Sequence, residues 1–144
     1  MSADARRALD ETLARHRERS TPTPPKGWVR ALRDALGMTA ADLAERLGVS
    51  RQAVTQMEKS EADATITLQT LRRAAEALGC RLEYVLVPDQ PLQDRVRQQA
   101  ESRARELLAD VMHSMVLEDD PVDLQHRVSE LADELEASGG LWSS

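Results

Sequence analysis

Along most of the chain, apolar residues return every three or four positions, the period of a helix buried on one side. Ala5, Ala8, Leu9, Thr12, Leu13 and His16 fall on one face and predict a helix from about Ala3 to Arg17. The run TPTPP (residues 21–25) stops it and makes a stiff, extended linker, because three prolines disfavour helical backbone. Val29, Leu32 and Leu36, led by Trp28, predict a second helix. Three further helices each follow a hydroxyl residue suited to an N-cap: Thr39 before AADLAERLG, Ser50 before RQAVTQMEK and Thr67 before LQTLRRAAEALG. Ile66 and Leu71 are spaced as a hydrophobic staple at the last of these.

The period then changes to two. In CRLEYVLVP, Cys80 to Pro88, Leu82, Tyr84 and Leu86 alternate with Arg81, Glu83 and Val85, which predicts one strand between Gly79 and Pro88. No other segment reads as its partner. A lone strand leaves its backbone groups unpaired, so the expected partner is the same strand of a second copy. Leu82, Tyr84, Val85 and Leu86 are the expected dimerisation residues. The tail returns to helical spacing. Leu92, Val96, Ala100, Leu107, Leu108, Val111, Met112 and Met115 mark a helix from about Leu92 to Val116. Asp120 is placed to cap a last helix that opens at Pro121, carries Leu124, Val128, Leu131 and Leu135 as a seam for another helix, and stops at Gly139–Gly140.

The fold expected is mostly α. A helix-turn-helix bundle of about four to five helices carries one short β-strand paired across a dimer, with an N-terminal helix and a C-terminal helical tail added. The expected boundaries are 1–25 for the first helix and linker, 26–88 for the bundle and strand, and 89–144 for the tail. Composition fits short helices: no Phe, one Tyr (Tyr84) and two Trp (Trp28, Trp142) leave Ala, Leu and Val to build the core. Such a core buries less area per residue than an aromatic one, which also favours a second copy.

Charge separates the segments further. The chain carries a formal −6 over 144 residues. Residues 88–144 hold five basic and thirteen acidic side chains, whereas 26–87 hold nine and eight. The tail is therefore a solubilising or partner-binding surface, and the bundle is close to neutral. Chemistry is sparse. There is no Gly-rich phosphate loop, nucleophile elbow or His-rich metal motif, so the chain is not expected to be an enzyme, and no cofactor is implied. His113 and His126 are too far apart for a local metal pair, and the single Cys80 forms no internal disulfide or thiolate cluster. Residues 1–20 lack the apolar run of a signal peptide, and no stretch is long enough to cross a membrane. The expected compartment is the cytoplasm.

The second and third helices of the bundle have the spacing of a helix-turn-helix. Leu43, Leu47, Val49, Val54 and Met57 fall on its buried positions, Ala44 is small at the crossing, and Gly48 occupies the turn, where a positive φ is needed. Arg51, Gln52, Thr55 and Gln56 lie away from Val54 and Met57. These side chains carry base-edge chemistry: Arg matches guanine O6 and N7, and Gln matches adenine N6 and N7. Thr39, Ser50, Lys59, Arg30 and Arg33 are the expected phosphate contacts, with Lys26, Arg72 and Arg73 in support. Glu61 and Asp63 follow closely and are expected to hold non-specific affinity down. The reading is a sequence-specific binder of double-stranded DNA, with a palindromic site read by a homodimer. The alternative is a protein-binding antitoxin that neutralises a partner enzyme through the acidic C-terminal helices.

Gly27 to Pro88 resembles the phage-repressor-like (Xre-type) helix-turn-helix superfamily and, within it, the mobile mystery protein A family. The block EKSEADATITLQTLRRAAEALGC carries much of that likeness, and VMHSMVLEDDPV in the tail is similar in kind. The resemblance implies a dimeric regulator that inserts the helix of Arg51, Gln52, Thr55 and Gln56 into the major groove. It further implies an autorepressor or antitoxin-like role in an operon with a Fic-domain protein. One position departs from the pattern. Ala40 stands where a polar residue often opens the helix and touches phosphate, leaving that contact to Thr39 or Arg51.

Overall fold

The computed structural model describes residues 2–112 and 121–143. Seven helices are present among them: α1 (Ala3–Arg17), α2 (Trp28–Ala35), α3 (Ala40–Leu47), α4 (Arg51–Ala62), α5 (Leu68–Ala77), α6 (Leu92–Met112) and α7 (Pro121–Ser138). They gather into two compact units. One holds residues 21–86, and the other joins residues 1–20 to 87–144.

The 21–86 unit is the four-helix bundle α2–α5. Its core is Val29, Leu43, Ala44, Val54, Ala74 and Leu78, flanked by Leu32, Met38, Leu47, Met57, Leu71 and Cys80. Helix starts follow the hydroxyl caps. Thr39 Oγ1 accepts from Asp42 N at 3.1 Å while Asp42 Oδ2 accepts from Thr39 N at 2.8 Å, a reciprocal capping box. Hydrogen bonding to the carboxyl group, from the Thr39 backbone N–H first and then from the Thr39 side chain, holds the Asp42 carboxyl below its usual pKa. Ser50 accepts from Ala53 N at 3.1 Å, and Thr67 from Thr70 N at 3.1 Å. Gly48 closes α3 at φ 68, and the left-handed conformation it holds there costs a side-chain residue roughly 1–2 kcal/mol. It turns the chain into the cap of α4 within two residues. Val49, expected to be buried, is instead 41% exposed; its N–H bonds to Ala44 O at 3.0 Å and its side chain stays outside the core.

No strand is present among the described residues. Cys80–Pro88 is neither helix nor strand, and Tyr84, Val85, Leu86 and Val87 are exposed. The expected β-pairing has no partner among the described residues, because a ladder needs a second strand and none is present there.

In the other unit, α7 packs antiparallel on α6 and α1 packs on α6. The seam of α7 is used here: Val128, with Leu131 and Leu135 beside it, lies against Ala100, Ala104, Val96 and Leu108 of α6. Alanines at 0% exposure in both helices (Ala100, Ala104, Ala132) let the backbones approach closely. Arg97 then ties the pair, reaching Glu101 (3.1 Å), Asp133 (2.6 Å), Glu136 (3.4 Å) and the Ser129 hydroxyl (2.9 Å). The tail carboxylates are thus partly structural rather than only solvating. The buried side of α1 is rotated from the expected one. Leu13 is buried, but Leu9 is 41% exposed, and Asp10 turns inward to accept from Leu92 N (2.6 Å) and Gln93 N (3.1 Å) at the start of α6. The expected cap Asp120, together with His113, Met115 and Val116, lies outside the described residues.

Candidate nucleic-acid interface

The sequence of α4 divides its surface by angle. Val54 and Glu58 are buried and Met57 is partly so, which leaves Arg51, Gln52, Thr55, Gln56 and Lys59 exposed on the opposite side. Successive members of this set lie one or three positions apart on one helix, so they form a continuous polar strip. Ser50, at its head, is exposed as well. Its hydroxyl oxygen accepts the bond from Ala53, and its hydroxyl hydrogen remains as a donor. Thr39, at the head of α3, is likewise an exposed cap. Two helix starts and one polar strip therefore belong to the same α3–turn–α4 element.

Within this frame, residues 29–85 match the family model described as Helix-turn-helix. This part of the chain is similar to helix-turn-helix domains. Domains of this family are DNA-binding regulators. No curated protein and no solved structure matches the chain.

The 21–86 unit holds α4 with two carboxylates, Glu58 and Glu61, whose partners helix spacing alone did not name. Glu58 is 7% exposed and receives the Arg33 guanidinium of α2 in a fork: Nη2 to Oε1 at 2.9 Å and to Oε2 at 3.2 Å, and Nε to Oε1 at 3.2 Å. Arg33 Nη1 also donates to Met38 O at 3.0 Å. Arg33, expected on the phosphate backbone, is thereby turned inward, with an 11% exposed side chain whose donors are spent. Removing one member of such a pair strands the other charge in the core, at roughly 3–5 kcal/mol.

Glu61 does the second job. Its two carboxylate oxygens accept from Trp28 N (2.7 Å) and Val29 N (2.9 Å), capping α2 from the last turn of α4. Gly27 is what makes room: a Cβ there would sit 2.7 Å from Glu61 Oε1, and its φ of 88 is one that side chains resist. Glu61, expected to hold non-specific affinity down, is in addition the cap of α2. The signal for both was present in the helix period. Glu58 and Glu61 are four and seven residues past Val54, on the apolar side of α4, where a charge needs a partner. Arg33 is four past Val29, on the matching side of α2.

The remaining expected phosphate contacts stay outside the core. Lys59 is exposed, and Arg30 is exposed with Asp34 at 3.7 Å, a contact of little worth in water. Among the described residues, no group of His, Cys, Asp and Glu is gathered to hold a metal ion, and no helix is long and apolar enough to cross a membrane.

Proposed function

We propose that the chain is a sequence-specific DNA-binding transcriptional regulator that reads base edges with Arg51, Gln52, Thr55 and Gln56. The observation that carries this reading is the exposed polar strip of α4, held on a helix-turn-helix by the Arg33–Glu58 lock. Ser50, Thr39, Lys59 and Arg30 serve the flanking phosphates. The near-neutral charge of the 26–87 segment keeps sequence-independent attraction small, so specificity rests on base edges. The DNA-reading segment is 26–88, and residues 89–144 serve other contacts. The reader is a homodimer paired through Leu82, Tyr84, Val85 and Leu86 on a palindromic site. The likeness of Gly27–Pro88 to mobile mystery protein A supports a role as autorepressor, antitoxin-like, in an operon with a Fic-domain protein.

Selection of bound duplexes from a random pool tests the base-reading role. Enrichment of one inverted-repeat sequence is the expected result. Retention that rises at low salt with no enriched sequence would overturn it.

A further inference from the structure

The four side chains assigned to base edges are not chemically equivalent once the helix is formed. Thr55 Oγ1 donates to the Arg51 carbonyl oxygen, one turn back, at 3.2 Å. Its only hydroxyl hydrogen is thereby committed to the helix. What the exposed Thr55 side chain can still offer is its methyl group and a lone pair on oxygen. Arg51, Gln52 and Gln56 around it keep side-chain donors of their own, so Thr55 is the one of these four that offers a methyl group in place of a donor. In the major groove one base carries a matching feature, the C5 methyl of thymine.

Resting on the base-reading role proposed above, we infer that Thr55 is a specificity-determining residue that reads a thymine methyl group through its own methyl. Thr55 lies four residues from Arg51, about 6 Å further along the helix. At about 3.4 Å per base step, the thymine falls roughly two base pairs from the base met by Arg51. Burying one methyl between protein and base is worth about a four-fold change in affinity, from roughly 0.8 kcal/mol per carbon.

The test uses the full chain and the duplex that selection enriches, with each thymine replaced in turn by deoxyuridine, which lacks only the methyl. At one thymine per half-site, the ratio of affinities for thymine and uracil should be about four. Thr55→Ser, which keeps the hydroxyl and loses the methyl, should bring that ratio to about one. Thr55→Val, which keeps a methyl and loses the hydroxyl, should hold it near four. Circular dichroism of both variants shows that α4 is still formed. A ratio near one at every thymine for the wild-type chain overturns the inference, and so does a ratio that survives Thr55→Ser or vanishes in Thr55→Val. Those results leave base reading by Arg51 and the glutamines standing. A pool with no enriched duplex removes the base-reading role and this inference together.

Discussion

Arg51 and Lys59 are both exposed cations on α4, and the proposed function gives them different work. Arg51 opens the helix, where N-terminal residues approach base edges, and its planar fork matches guanine in two bonds. Lys59 lies two turns further on and presents a point charge suited to phosphate. Arg51→Ala should therefore cost about 1–3 kcal/mol on the selected site and relax the choice at one base pair. Lys59→Ala should weaken every duplex alike and lower the salt slope by about one. Titrations on specific and random DNA at several salt concentrations separate the two. Equal losses from Arg51→Ala on both DNAs would remove its base-reading role. At this scale the exposed site residues were legible in the sequence because exposure follows helix angle, which Val54 and Met57 already set. Arg33 was not: its cationic type suggested phosphate, and only the tertiary approach of α2 to α4 showed that Glu58 claims it.

Among the elements, α2 and α4 are joined by the Glu61 cap as well as by the Arg33 fork, which changes what substitutions of acidic residues near the end of α4 should do. Glu61→Ala removes both acceptors from the first turn of α2 and should cost about 1 kcal/mol of stability. Thermal unfolding reads that loss directly, and an unchanged midpoint would show that water caps α2 equally well. Asp63 is different. It is exposed just after α4, so Asp63→Asn should leave the midpoint in place and raise affinity for random duplex at low salt. No gain at low salt would mean that the end of α4 points away from the duplex. The helices themselves were readable from the chain because their caps are local: Thr39, Ser50 and Thr67 each bond a backbone N–H three residues on. The joins between helices were less so. Asp10 and Glu61 cap helices that start 82 and 33 residues away from them, and periodicity carries no information about such partners.

At the scale of the whole molecule, the open question is what covers Tyr84, Val85, Leu86 and Val87, which are 65%, 43%, 86% and 43% exposed. Four consecutive exposed apolar residues are unusual in a chain this small, and they fall where the 21–86 unit ends and the other begins. Of the α7 seam, Val128, Leu131 and Leu135 are already packed on α6, whereas Leu124 is not part of that cluster, so most of the seam is spent within the chain. In the proposed dimer, a second copy of the same segment, antiparallel across a two-fold axis, would satisfy both the apolar side chains and the backbone groups that no strand pairs among the described residues. Such an axis would set two copies of α4 about 34 Å apart, one turn of DNA, which is the spacing a palindromic site requires. Val85→Pro tests it, since proline removes a ladder donor and should cost roughly 3 kcal/mol where that donor is paired. Sedimentation of this variant should show monomer. Affinity for the selected inverted repeat should fall, while helix content stays unchanged because residue 85 lies outside every helix. A dimer of full affinity after Val85→Pro would remove the strand-paired arrangement and with it the expected half-site spacing.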